Sequence, residues 1–155
     1  MTTKKRVLAV VTVISLATIA YDLSTNPLVS GSVNIHNLLT ISLPKGSRHR
    51  IQQGIDTLTG QIKLGWLGKT MEYDIGHLAG NYATNEHHAP FVFQKQEVNN
   101  GVTMDYSMRK DRAQYTLFVS FPDLGPANFY TRIGDPSQSD AILDVMRTVR
   151  PIEPR

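Results

Sequence analysis

The segment FVFQKQEVNNGVTMDYSMRKDRAQYTLFVSFP, residues 91–122, predicts the fold of this chain more clearly than any other stretch. Apolar and polar residues alternate in VTMDYSMR (102–109) and again in YTLFVSFP (115–122), and a period of two is typical of half-buried β-strands. The turn NNG (99–101) contains residues that tolerate the positive φ of a tight hairpin. The segment therefore predicts a meander of three antiparallel strands. The polar face of its middle strand, predicted to face water, carries Thr103, Asp105, Ser107 and Arg109.

Short strands are predicted on both sides of this meander, and a helix follows them. In DPSQSDAILDVMRTV (135–149) the apolar residues recur at helical spacing, and Ser137 and Asp140 have the spacing of a capping box. The predicted fold class is α+β: an antiparallel β-sheet of six to seven strands with a C-terminal amphipathic helix packed on it. The further strands are predicted at residues 37–44, 60–64, 69–76 and 128–134.

The first 20 residues are predicted to be a signal peptide or an N-terminal membrane anchor. MTTKKR is basic and residues 7–20 carry no charge, which is the layout of a secretory leader. The run is shorter than the roughly 20 apolar residues that a bilayer span requires. We therefore predict export to the periplasm; the alternative is an inner-membrane anchor that leaves the domain outside the cytoplasm. Residues 21–34 are predicted to be a linker and residues 35–155 a single domain.

Charge and cysteine content exclude several classes of function. Three of the 16 basic residues lie in the leader and all 13 acidic residues lie after it, so the exported chain has 13 of each. The basic stretches KGSRHR (45–50) and RKDR (109–112) are interpreted as solvated loop charges, not as a nucleic-acid surface, which needs a concentrated positive charge. The chain has no cysteine, which excludes thiol nucleophiles, thiolate zinc sites and disulfides.

The stretch YDIGHLAGNYATNEHH, residues 73–88, concentrates the residue types that could form a site. Imidazole and carboxylate ligands suit Zn²⁺, but the helical HExxH arrangement is absent. We therefore predict no metal and no cofactor, and interpret the stretch as a loop between two strands, with a groove for a partner or ligand as the alternative. Trp66 lies at a predicted hairpin tip, where it could anchor a partner. The candidate binding residues are Trp66, Asp74, His77, Tyr82, His87 and His88.

Two segments carry a resemblance to a known family. The opening ISLPKG (41–46) and the closing FYTRIGDPSQSDAILDVMRTVRP (129–151) resemble the plan of the PsbP and Mog1-like domains, and QGIDTLTGQI (53–62) with YDIG is similar to a signature of small exported bacterial proteins. The resemblance implies the sheet-and-helix fold and an accessory or binding role, and it transfers no catalytic residue.

We expect from these patterns an exported, non-enzymatic binding or accessory domain of the bacterial cell envelope, for example a protein inhibitor or a toxin-immunity factor. Its partner would be another envelope protein. The alternative is a small hydrolase that depends on a metal or on paired carboxylates. Its candidate residues are His77, Asp74, Asp56 and Glu86.

Overall fold

The computed structural model describes residues 28–54, 56–65, 67–85 and 90–152. The predicted leader therefore lies outside the described residues, and so do Trp66, Glu86, His87 and His88. No helix in the described ranges is long and apolar enough to cross a membrane.

Nine strands and one α-helix form the described part of the chain, which is α+β as predicted. The strand count exceeds the six to seven that the sequence predicted. The elements in chain order are β1 (Leu28–Ile35), β2 (Leu39–Gln53), β3 (Leu58–Leu64), β4 (Lys69–Ile75), β5 (Phe91–Asn99), β6 (Val102–Asp111), β7 (Gln114–Phe121), β8 (Ala127–Ile133), α1 (Ser139–Met146) and β9 (Arg150–Pro151).

All strands belong to one antiparallel sheet in the order β1-β2-β3-β4-β8-β7-β6-β5. The predicted meander is present as β5, β6 and β7, and both Asn100 and Gly101 in its first turn have positive φ, as predicted. Strand β8 lies between β4 and β7, so that it joins the two halves of the sheet. The short β9 returns to pair with the first residues of β2.

Two predicted boundaries differ from the structure. Strand β1 covers residues 28–34, which we predicted to be linker; it is an edge strand whose Val29 and Val33 pack against the core, and its alternation is interrupted by Gly31. Residues 45–50, predicted to be loop, continue β2, whose 15 residues pair with both β1 and β3. The last residues before Pro154 were predicted to leave the helix as a short edge strand or tail, and β9 agrees with this prediction, because it is two residues long and pairs only with β2.

One face of the sheet forms the hydrophobic core, and the predicted alternation is confirmed there. Every second side chain of β4 is buried: Met71, Tyr73 and Ile75. Gly60 lies opposite Tyr73 across β3 and β4, and a Cβ at this position would overlap the Tyr73 ring. The glycine therefore lets a large aromatic side chain cross the neighbouring strand.

Helix α1 adds Ile142, Val145 and Met146 to the same core, as the helical spacing predicted. The predicted capping box is wrong. The helix begins at Ser139, after a single turn of 3₁₀ helix, and its N-cap residue makes no side-chain capping bond. The Asp135 carboxylate instead accepts a hydrogen bond from the Ser137 amide, which caps the 3₁₀ turn.

The opposite face of the sheet, here called the far face, is covered in part by the chain that links β4 to β5. This link must pass three strands, a distance of about 19 Å at the usual strand spacing. We call its described residues, 76–85, the strap. Because the strap covers it, the polar face of β6 does not face water as we predicted: Asp105, Ser107 and Arg109 are all buried.

Candidate functional site

The strap is attached to a row of polar side chains that runs across the far face. Cross-strand pairing aligns these side chains, one from each of five neighbouring strands. Buried polar groups need hydrogen-bond partners, and the strap backbone supplies several of them. We call this set the polar row: Asp74, Asn128, Ser120, Asp105 and Gln96.

Asn128 is the centre of the polar row and has no solvent exposure. Its Oδ1 accepts hydrogen bonds from the Tyr82 amide (3.0 Å) and from Ser120 Oγ (2.6 Å), while its Nδ2 donates to the Gly80 carbonyl (3.0 Å). Ser120 Oγ also accepts from the Ala83 amide at 3.1 Å. One asparagine on β8 therefore fixes the path of the strap backbone.

Asp105 extends the same attachment toward the β5 edge. Its Oδ2 accepts from Asn81 Nδ2 of the strap and its Oδ1 accepts from Gln96 Nε2, both at 2.7 Å. Asn81 Oδ1 in turn accepts from the Ala83 amide, which closes a tight turn in the strap.

Arg109 holds the last described part of the strap. Its guanidinium lies between the rings of Phe91 and Phe118, 4.5 and 5.0 Å from their centroids, and its Nη2 donates to the carbonyl oxygens of Tyr82 and Asn85. Only 3% of this residue is exposed, and burial lowers the pKa of its guanidinium from the ordinary value. Its Nε and Nη1 have no hydrogen-bond partner among the described residues. Arg109 is therefore a structural clamp and not a solvated loop charge.

Two tyrosine–carboxylate pairs lie next to each other beneath and beside the strap. The Tyr82 hydroxyl donates to Asp74 Oδ2 at 2.6 Å, and the Tyr130 hydroxyl donates to Glu72 Oε2 at 2.7 Å. Burial, strengthened by the hydrogen bond to Asp74, raises the pKa of Tyr82 to about 12. Both phenols therefore stay protonated at neutral pH and act as hydrogen-bond donors rather than as bases.

A second polar cluster lies where the core meets the end of the sheet. The Tyr73 hydroxyl is 3.0 Å from His49 Nε2 and 3.3 Å from His36 Nε2. A phenol has one proton, so it donates to one imidazole and accepts from the N–H of the other. Burial lowers the pKa of both histidines, and at His49 the nearby His36 lowers it further. Both imidazoles are therefore neutral at pH 7.

One cavity, which we call the aliphatic cleft, opens at the end of the sheet. It has a volume of about 880 Å³. Four large side chains that line it are exposed: Leu38 (42%), Ile51 (59%), Leu58 (40%) and Leu78 (76%). Its polar lining includes His36, Asp56 and His77.

Another cavity, which we call the far-face groove, lies beside the strap on the far face. Its volume is about 740 Å³. Three aromatic rings line it, and the Tyr130 ring stands 6.2 Å from Phe118 and 6.1 Å from Tyr82, centroid to centroid. Its lining residues are Thr70, Glu72, Tyr82, Asn85, Thr116, Phe118, Tyr130, Thr131 and Arg132.

The structure separates the site residues that the sequence grouped together. Asp74 and Tyr82 are in contact under the strap, whereas His77 lines the aliphatic cleft with Asp56. The hydrolase set is therefore divided between two surfaces in the described part of the chain. No group of three His, Asp or Glu side chains that could hold a metal ion is found among the described residues.

No protein-family model, curated protein or solved structure matches this chain. The resemblance to the PsbP and Mog1-like domains therefore stays a prediction.

Several residues of these surfaces were missed by sequence reasoning. Asn128 and Tyr130 were placed in strands without a role and Arg109 was interpreted as a solvated charge, because no periodicity distinguishes these three from solvated polar residues. The sequence did contain a sign that Asp56 and His77 would line the same cavity. Residues equally distant from the turn of a two-stranded hairpin face each other, and the turn between β3 and β4 places Leu58 opposite Ile75. Asp56 and His77 lie two residues beyond that pair, at equal distances from the turn.

Proposed function

We propose that this chain is an exported, non-enzymatic binding domain of the bacterial cell envelope, which holds an apolar segment of another envelope protein in the aliphatic cleft. An accessory factor and an inhibitor of the toxin-immunity kind both fit this description. The PsbP and Mog1-like resemblance, although untested, agrees with it. The observation that carries the proposal is the grouping of four exposed aliphatic side chains in one cleft.

Single exposed apolar residues are normal on a protein surface, but a contiguous group in a concave site is typical of binding surfaces. The four side chains come from separate stretches of chain: Leu38 before β2, Ile51 within β2, Leu58 in β3 and Leu78 in the strap. The fold thus brings them together from positions 7 to 40 residues apart in sequence. A fully exposed leucine contributes about 1.5–3 kcal/mol when a partner covers it, and these leucines, which are 40–76% exposed, contribute roughly that fraction of it.

The polar lining of the cleft supports a protein partner. His77 is exposed beside Leu78, and Asp56 is exposed beside Leu58 on the facing strand end. A polar rim around an apolar centre is the usual anatomy of a protein interface, in which the rim sets orientation and the centre supplies affinity.

A crosslinking pull-down from the native cell envelope tests the proposal. The tagged full chain is compared with a variant that carries Leu58→Ser and Leu78→Ser, and with Val98→Ser as the control. Val98 is 71% exposed, so the control matches Leu78 in exposure, but it lies in β5, away from the cleft. We expect one stoichiometric protein partner for the wild type and for the control, and about a hundredfold weaker capture by the cleft variant.

Equal capture of the partner by the cleft variant would contradict the proposal, and so would the recovery of the wild-type chain alone. The export claim has its own test, which is the mass of the protein recovered from each cell fraction. A chain that keeps residues 1–20 and is found in the cytosolic fraction would contradict export.

A further inference from the structure

We propose a second binding site in this protein: the far-face groove binds an uncharged oligosaccharide, with pyranose rings packed on its aromatic floor. This site shares no lining residue with the aliphatic cleft. The inference therefore does not rest on the function proposed for the cleft.

The shape of the groove fits a chain of sugar rings. Its cavity of about 740 Å³ meets another cavity of about 440 Å³, and Thr116 and Arg132 line both. Together they form an elongated depression that runs from the strap toward the hairpin between β6 and β7. Sites for drug-sized ligands have volumes of roughly 300–1,000 Å³, so the depression accommodates more than one pyranose ring.

The aromatic floor is built by cross-strand pairing. Tyr130 on β8 lies directly opposite Phe118 on β7, with 29° between the ring planes, and both rings are half-buried while lining the cavity. The Tyr82 ring of the strap forms a wall beside them. The C–H bonds on one side of a pyranose ring make an apolar surface, which packs favourably on the negative face of an aromatic ring.

Polar groups stand beside this floor at positions where they can reach sugar hydroxyl groups. Glu72 is opposite Tyr130 on the adjacent strand, and its carboxylate accepts a hydrogen bond from the Tyr130 hydroxyl while keeping further acceptor capacity. Arg132 is exposed and offers several N–H donors. In the described part of the chain neither side chain forms an ion pair. A carboxylate acceptor and a guanidinium donor flanking an aromatic floor match adjacent hydroxyl groups, which both donate and accept.

The charge balance of the depression favours an uncharged ligand. The larger cavity has one acidic and one basic residue, Glu72 and Arg132. The smaller cavity adds one of each, Asp111 and Arg112. Such a balance gives no net attraction to phosphates or to nucleic acid, which require a concentrated positive surface.

Saturation-transfer NMR on the full chain tests the proposal, with three defined probes: cellohexaose, maltohexaose and chitohexaose. We expect at least one of them to bind at concentrations up to about 10 mM. Arg132→Ala removes the donor and Tyr130→Leu removes the aromatic floor, and each should weaken binding at least about tenfold. Lys63→Ala is the matched control, because Lys63 is an exposed cation on the far face that does not line the groove.

The melting curve of each variant shows whether it is folded before binding is compared. Absence of saturation transfer from all three hexasaccharides would overturn the proposal. Undiminished binding by either the Arg132 or the Tyr130 variant would do the same. The variant with Leu58→Ser and Leu78→Ser should bind the sugar as the wild type does, which separates a failure of this site from a failure of the cleft.

Discussion

Truncation of Asn128 to alanine should detach the strap from the sheet. The substitution removes three hydrogen bonds and leaves the Tyr82 amide, the Gly80 carbonyl and the Ser120 hydroxyl to find other partners in a site without solvent exposure. Each such bond contributes about 1 kcal/mol net, and a buried group left without a partner costs more. We therefore expect Asn128→Ala to lower the free energy of unfolding by about 2–4 kcal/mol.

Urea denaturation measures this loss as a shift of the midpoint by about 1–2 M, because the slope for a domain of this size is about 2 kcal/mol per M. Amide hydrogen exchange shows where in the chain this stability is lost. The amides of Tyr82 and Ala83 should lose their protection from exchange before the amides of the core strands do. The control is Asn99→Ala. Among the described residues, the Asn99 side chain makes one hydrogen bond, which it accepts from the exposed Asn100. Its loss should change the free energy of unfolding by less than about 0.5 kcal/mol. A wild-type midpoint for Asn128→Ala, or unchanged protection at Tyr82, would refute the role assigned to Asn128.

Two further predictions concern the cluster around Tyr73. Gly60→Ala should destabilise the fold by about 1–3 kcal/mol in the same denaturation assay, because the new Cβ would overlap the Tyr73 ring and lie 2.6 Å from the Arg50 carbonyl oxygen. Gly134→Ala, where a Cβ meets nothing within 4 Å, is the matched control, and equal midpoints for the two variants would contradict the close approach. The lowered pKa values of His36 and His49 mean that the unfolded chain binds more protons than the folded chain, so stability should fall as the pH drops below about 6.5. Denaturation between pH 7.5 and about 5 should show a shallower decline for His49→Gln than for the wild type, and parallel curves would contradict the assignment.

The side chains of β6 show how far the sequence predicts this fold. Alternation identified the core-facing residues of the strand, such as Met104 and Met108, because their burial requires apolar residues at every second position. The same alternation gave the wrong environment for Asp105 and Arg109. The strap, which comes from an earlier part of the chain, buries these two residues. Its contacts with them are between polar groups, and such contacts produce no periodic pattern of hydropathy in the sequence.

The candidate sites were predicted only in part, because their contacts also join distant parts of the chain. Tyr82 and Asp74 were both chosen from the sequence, but their contact depends on the turn at Gly76 and Gly80, whose positive φ values no spacing rule specifies. The far-face groove could not be predicted at all, since Glu72, Tyr130 and Phe118 meet only through the strand order. That order follows from the return of β8 to the middle of the sheet.

The position of β8 also determines how this protein must fold. A chain synthesised as far as Phe121 holds two separate antiparallel units, β1 to β4 and β5 to β7, each with an unpaired edge where β8 will later bind. The contact between Glu72 and Tyr130 spans 58 residues, and contacts of such long range slow folding because a large loop must close first. Strand β8, which follows both units in the chain, therefore joins the two halves of the sheet. The same strand brings Asn128 to the strap and Tyr130 and Arg132 to the groove, so that the far-face groove is complete only when β8 lies between β4 and β7.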